Sequence, residues 1–150
     1  MSRIISFRGN LADEEQDRLR LSTNTGSIGY RIVKFQVMGP DASETAASAI
    51  KIYKIKQPVI DGNIDFSDNT LLAAAIYQQN VTGQNYPIDA LVIFDNEIFN
   101  QDIFISQRGD AASAKINYYI ELEQMNLDIS QNTVATLKDI RNIEGQSDTA

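Results

Sequence analysis

Along most of the chain, hydrophobic residues alternate with polar ones or form short β-branched runs, which is the pattern of β-strands. The clearest alternation is AKINYYIELEQM, residues 114–125, where one face would carry Ile116, Tyr118, Ile120 and Leu122. Further strands are predicted over RIISF (3–7), DRLRLST (17–23), YRIVKFQVM (30–38), IKIYKIK (50–56), ALVIF (90–94) and DIFIS (102–106). TLLAAAIYQ, residues 70–78, fits either a strand or one buried helical turn.

The alternation also predicts which side chains face the core. Leu19 and Leu21 share one face of their strand, and Arg18 and Arg20 share the other. In YRIVKFQVM the better core side is formed by Arg31, Val33, Phe35 and Val37. The three lysines of IKIYKIK suit an exposed face or a sheet edge. Tyr118 and Tyr119 are adjacent, so one is expected in the core and the other at the surface or an interface.

Turn signals separate these segments. VIDGNIDF, residues 59–66, places Asp-Gly between two β-rich pieces and predicts a hairpin. Loops or turns are predicted over GPDASETAAS (39–48), QNVTGQNYP (79–87) and SQRGDAAS (106–113). About eight short strands without βαβ alternation predict an all-β fold, a single antiparallel β-sandwich or jelly-roll-like domain spanning residues 1–150. Residues 128–141 fit either a short C-terminal helix or a returning strand.

Composition narrows the possible chemistry. A chain of 150 residues with 43% hydrophobic residues can bury the core of one globular domain. Cysteine and histidine are both absent, which excludes thiolate metal sites, disulfides and every nucleophile activated by histidine. The longest apolar run, LLAAAIY, is too short to cross a bilayer, and MSRIISFRGN lacks the apolar segment of a secretory signal. We therefore expect no enzyme, no cofactor and no membrane association.

Charge is distributed unevenly along the chain. Residues 1–56 carry nine Lys/Arg and six Asp/Glu, a net +3, whereas residues 57–150 carry four and fourteen, a net −10, which together give −7. An acidic chain is poorly suited to a phosphate backbone, so nucleic acid is not an expected partner. Two outcomes stay open: copies associate, basic region to acidic region, or the charges form a solvated surface.

A cluster of acidic and amide side chains in DGNIDFSD resembles the start of an EF-hand calcium loop. Asp61, Asn63 and Asp65 have the required spacing, but Phe66 stands where the loop needs glycine and Leu72 where it needs glutamate. Side chains that hydrogen-bond to the backbone in a hairpin turn explain this composition better. We therefore predict no metal site.

The segment LVIFDNEIFNQDIFIS, residues 91–106, concentrates five polar side chains between two apolar runs. A carboxylate pair such as Asp95 and Asp102 has the groups needed for acid–base catalysis. Asp and Asn are also the usual residues where a strand ends and turns. We interpret residues 95–102 as a corner between strands, with Ile98 and Phe99 returning to the core, and predict no catalytic residues.

Three segments carry a family resemblance: SRIISFRGNL, then IGYRIVKFQVM, and then IFDNEIFNQDIFI followed by NYYIELEQMNL. In that order they resemble small virion structural proteins of tailed bacteriophages, particularly phages of marine cyanobacteria and other marine bacteria. The resemblance runs from about Ser2 to Ile143. It is one of whole-chain pattern, so it implies a biological setting and brings no catalytic residues.

The resemblance implies a non-enzymatic subunit of a phage particle, synthesised in the host cytoplasm and located in the virion. The leading hypothesis is a decoration or cementing subunit bound to the major capsid protein, in a homo-oligomeric or symmetric arrangement. A tail or connector component is the first alternative. A receptor- or carbohydrate-binding module is another, although no tryptophan is present for stacking on sugars. A hydrolase based on carboxylates is the least favoured.

Overall fold

The computed structural model describes residues 3–23, 27–39, 46–79, 89–109 and 115–127, and this part of the chain is all-β. Its strands are β1 (Arg3–Ala12), β2 (Gln16–Leu19), β3 (Ile28–Met38), β4 (Ala46–Tyr53), β5 (Leu71–Gln79), β6 (Asp89–Phe94), β7 (Ile103–Gly109) and β8 (Lys115–Asn126). The ambiguous segment 70–78 is thus a strand, whereas 128–141 lies outside the described residues. Within the described ranges there is no helix that is long and apolar enough to span a membrane.

The strands form two antiparallel sheets that pack as a sandwich, which confirms the predicted fold class. One sheet has three strands in the order β1-β8-β3, and the other has five in the order β2-β7-β4-β5-β6. Strand β3 lies across β5 and β6, and β1 lies across β7. An isolated backbone bridge between Tyr30 and Phe99 links β3 to the segment that follows β6.

The core lies between the sheets and is built from the faces that alternation selects. In β8, the four residues that alternation places on one face are buried, and residues of β4 and β7 belong to the same core cluster. The members of the hydrophobic core cluster in these three strands are Ile50, Ile52, Ile103, Ile105, Ile116, Tyr118, Ile120 and Leu122. Tyr119 is only half-buried on the opposite face, as its position next to Tyr118 predicts. Leu19 and Leu21 are also buried, as predicted.

The core face predicted for residues 30–38 is wrong for the first half of β3. Tyr30 and Ile32 are buried near its start, and Phe35 and Val37 near its end, although these two pairs differ in parity. The cause is an irregularity in the pairing with β8 between Ile32 and Lys34, which inserts one residue and reverses the alternation. Strict period-two reasoning therefore assigned the first half of the strand to the wrong face.

The exposure predicted for the three lysines of IKIYKIK, residues 50–56, is wrong for two of them. Lys51 and Lys54 are only 3% and 4% exposed, and β4 is an interior strand between β7 and β5 rather than an edge. Each ammonium has an acidic partner at hydrogen-bonding distance: Lys51 Nζ lies 2.9 Å from Asp61, and Lys54 Nζ lies 2.6 Å from Glu97. Of the three lysines, Lys56 alone is exposed as predicted.

The hairpin predicted at residues 59–66 is also wrong, because this segment contains no strand. It folds against the outer face of β4, where Lys51 Nζ donates to the Asn63 carbonyl at 2.6 Å as well as to Asp61. Residues 106–109 of the turn predicted at 106–113 instead belong to β7, which continues to Gly109 in register with β4. Residues 110–113 of that prediction lie outside the described residues.

Candidate functional site

The polar segment 95–102 forms the corner between β6 and β7. Asp95 continues the pairing of β6 for one more hydrogen bond, donating its N–H to the Leu72 carbonyl at 2.8 Å. Its carboxylate then accepts from the Glu97 N–H at 2.9 Å, the local hydrogen bond that Asp commonly makes in turns. Asp95 is therefore used as a turn residue at the end of an edge strand.

Phe99 anchors the corner in the core. It is 1% exposed, and its ring lies 6.3 Å from that of Tyr30 in a stacked arrangement. Two backbone hydrogen bonds join the same residues: Tyr30 N–H to the Phe99 carbonyl at 2.8 Å, and Phe99 N–H to the Tyr30 carbonyl at 2.9 Å. The prediction that this residue returns to the core is confirmed, whereas the adjacent Ile98 remains exposed.

Asp102 is buried and forms hydrogen bonds with the segment that follows β2. Its carboxylate accepts from the Leu21 N–H at 2.7 Å, the Ser22 N–H at 2.8 Å and Arg18 Nε at 2.7 Å. Burial alone would raise the pKa of Asp102, but the hydrogen bonds from Ser22, Leu21 and Arg18 outweigh it and lower this pKa to about 2. The group is an ionised structural acceptor at neutral pH.

The two carboxylates considered for catalysis are therefore engaged separately. Asp95 is exposed and bonds to its own turn, and Asp102 is bound to Arg18 and two backbone N–H groups. A general acid–base pair needs both groups directed at one substrate position, with pKa values suited to proton transfer near neutrality. A pKa of about 2 for Asp102 does not meet that requirement.

The acidic residues of DGNIDFSD are likewise used in separate turns. Asp61 accepts from the Asn63 N–H and from Lys51, whose hydrogen bond lowers the pKa of Asp61. Asp65 accepts from Ser67, and Asp68 accepts from Thr70. These contacts confirm the turn interpretation of the segment. In the part of the chain that the structure describes, no three His, Cys, Asp or Glu residues are grouped to hold a metal ion.

An exposed apolar surface lies beside the corner, on the outer face of β5 and β6. Leu91 is 64% exposed, and Ile93 and the partner of Leu91 across the strands, Ile76, are also exposed. Phe66, in the segment that follows β4, is 69% exposed and borders the same face. Such a contiguous apolar patch is typical of a surface that contacts another protein.

A groove of about 590 Å³ runs along this surface. Its lining includes Leu72, Ala73 and Ala74 of β5. Its walls include Phe66, Ile93 and Phe94, and its polar rim includes Asp68, Asp95 and Glu97. We call the exposed side chains Phe66, Ile76, Leu91 and Ile93, together with this groove, the β5–β6 surface.

The outer face of the three-stranded sheet has a different character. Arg31 pairs with Glu123 at 2.9 Å, Tyr119 donates to Glu121 at 2.8 Å, and Lys34 lies over the Tyr119 ring at 5.9 Å. The two acidic residues of β8, Glu121 and Glu123, therefore have partners within their own sheet. Ion pairs between the basic residues 1–56 and the acidic remainder also include Arg18–Asp102 and Lys54–Glu97, so folding mixes the two halves.

A shallow depression of about 500 Å³ lies on that same sheet. Tyr119 and the amides of Asn10, Gln36 and Asn117 are among its lining residues. Asn10 Nδ2 donates to Asn117 Oδ1 at 2.8 Å, so two of these amides are already paired with each other. Aromatic and amide groups are suited to binding sugars, and a carbohydrate-binding role would be located here.

Sequence patterns missed the β5–β6 surface for an identifiable reason. ALVIF was assigned as a strand from its apolar run, but such a run does not reveal whether the strand is central or at an edge. The length of the run does give an indication of this surface. Five consecutive apolar residues lie between Asp89 and Asp95, so two large side chains are exposed if one face of the strand is open.

No protein-family model matches the chain, and a search of the curated proteins finds no match.

Proposed function

We propose that this protein is a non-enzymatic structural subunit of a phage virion, and that it decorates or cements the capsid. The observation that carries the proposal is the β5–β6 surface, which exposes several large apolar side chains on a sheet face. In this role the protein acts by burying that surface against the major capsid protein. The resemblance to virion proteins of tailed phages supplies the biological setting.

The electrostatics of the β5–β6 surface support a protein partner. Asp68 and Asp95 on the groove rim are held by local backbone hydrogen bonds, and neither has a cation within ion-pairing distance among the described residues. A partner with an apolar side chain flanked by lysine or arginine would complement the groove. Interfaces that stay assembled bury about 1,200–2,000 Å² in total, so the groove would form the centre of a larger contact.

Capsid binding can be tested by sedimentation of the purified chain with particles that lack it. We expect the wild-type protein to pellet with the particles at a fixed stoichiometry. Phe66→Lys should reduce binding by at least about tenfold, because it places a charge in an apolar contact. Met38→Lys is the matched control, since Met38 is also strongly exposed but lies on the three-stranded sheet.

The alternatives predict different outcomes of the same experiment. A tail or connector component would leave capsids unbound but sediment with purified tails. A receptor- or carbohydrate-binding module would stay in the supernatant in both cases. The depression around Tyr119 would then be the candidate binding site. Equal binding by Phe66→Lys and the wild-type chain would contradict a docking role for the β5–β6 surface.

A further inference from the structure

Four strands form the edges of the two sheets, β1 and β3 in one and β2 and β6 in the other. Strand β2 is only four residues long, and β3 is bridged to Phe99 at Tyr30, so β1 and β6 have the most open edges in the described part of the chain. Strand β1 pairs only with β8, and β6 pairs only with β5. An open edge presents unpaired N–H and C=O groups, to which another strand can add. The edge of β1 is ten residues long, and that of β6 is six residues long.

These edges lie on opposite sides of the sandwich. Strand β3 covers β5 and β6, so the β6 edge lies on the β3 side. Strand β1 covers β7, so its edge lies on the side of β2. A contact that joins one edge to the other must therefore be head to tail between copies, and repetition of such a contact produces a ring if the rotation closes.

The two edges are complementary in charge. Strand β1 contains Arg3 and Arg8 and no acidic residue, whereas β6 leads directly into Asp95. Pairing β1 with a second β1 would bring arginines together across the contact. Like charges opposite each other destabilise a strand pair, and opposite charges stabilise it. Charge therefore favours β1 with β6 over β1 with itself.

The apolar side chains match in the same register. If β1 runs antiparallel to β6 with Arg3 opposite Asp95, then Ile5 lies opposite Ile93 and Phe7 lies opposite Leu91. Ile5 and Phe7 are half-buried and pack against the core of their own copy. Leu91 and Ile93 are exposed. In this register each exposed side chain of β6 meets an apolar side chain of β1 that is still partly open to solvent.

We infer that the protein associates with copies of itself head to tail, β1 of one copy adding antiparallel to β6 of the next with Arg3 opposite Asp95. This inference rests on the proposed function, because it names a second partner of the same structural subunit. The contact covers Leu91 and Ile93 at the β6 edge, and it leaves Phe66 and the groove residues of β5 for the capsid.

Sedimentation velocity of the purified chain over a range of concentrations tests this inference. The wild-type protein should form oligomers larger than dimers, or a closed ring, as concentration rises. Arg3→Glu and Asp95→Lys should each weaken association by about tenfold or more, because each places like charges opposite one another. An equimolar mixture of the two variants should recover association, since each variant supplies the charge that the other needs.

Arg20→Glu is the matched control, because it makes the same charge change at an exposed position outside both edges. A wild-type chain that is monomeric throughout, or Arg3→Glu oligomers as stable as the wild type, would overturn the inference. A dimer that responds to Asp95→Lys but not to Arg3→Glu would also overturn it in favour of two β6 edges paired about a two-fold axis. A monomer that still binds capsids would overturn self-association alone and leave the proposed function standing.

Discussion

Replacing Phe99 with alanine is expected to lower the free energy of unfolding by about 4 kcal/mol, the usual cost of removing a buried phenylalanine. Phe99 is almost completely buried, stacks on Tyr30 and anchors the corner that separates β6 from β7. The loss combines the removal of apolar contacts with a cavity between the two sheets. Urea denaturation followed by circular dichroism would measure it.

Phe66→Ala provides the matched control for Phe99→Ala, since it removes the same side chain from an exposed position. Its effect on unfolding should stay within about 0.5 kcal/mol, as for most surface substitutions. If the two variants lose similar stability, Phe99 is not the anchor of the corner. Phe66 would in that case contribute to the core more than its exposure indicates.

Asp102→Asn should lower the free energy of unfolding by about 2 kcal/mol at pH 7. Asparagine keeps an oxygen for the Leu21 and Ser22 N–H groups but removes the negative charge beside Arg18. Asp102 is 9% exposed, so solvent does little to replace the lost interaction. The measurement is again urea denaturation, and Asp95→Asn is the control because Asp95 is exposed and should change stability by less than about 0.5 kcal/mol.

The Asp102 effect should also depend on pH. Folding lowers the pKa of Asp102 from 3.8 to about 2, so its carboxylate stabilises the fold fully above pH 4. That contribution is lost as the pH falls from about 4 through 2, because the group becomes protonated in the folded protein as well. The stability difference between wild type and Asp102→Asn should therefore shrink across this range. A difference that is constant from pH 7 to pH 2 would show that the charge of Asp102 contributes nothing.

The fold class followed from the sequence because burial on one face imposes a two-residue period. β8 shows this best, since the four residues that alternation places on one face are all buried. β3 departs from the period because one extra residue between Ile32 and Lys34 shifts the register, and no composition signal marks that position. Alternation within a strand is therefore informative only up to the next irregularity in its pairing.

The burial of Lys51 and Lys54 could not be predicted from the sequence for a different reason. Lys51 and Lys54 are buried because each forms an ion pair, Lys51 with Asp61 and Lys54 with Glu97. Glu97 lies forty-three residues from Lys54 along the chain. A propensity scale assigns lysine to the surface because it cannot include such a distant partner. The absence of a hairpin at 59–66 has the same origin, since Asp61 faces Lys51 instead of closing a two-residue turn.

The candidate site was only partly predictable. The position of the corner and the return of Phe99 to the core follow from the sequence, because apolar residues inside a polar segment must be buried somewhere. The β5–β6 surface depends on β6 being the last described strand of its sheet, which is a property of topology. Strand order is set by long-range contacts that no local pattern encodes.

The most direct test of the proposed function is to measure the copy number of this chain in purified phage particles by quantitative mass spectrometry. Particles should first be separated from lysate on a density gradient and then disrupted into heads and tails. A capsid subunit should be present in every preparation at a fixed ratio to the major capsid protein, and it should remain with the heads. Absence from the purified particles, despite abundance in the infected-cell lysate, would contradict a structural role in the virion.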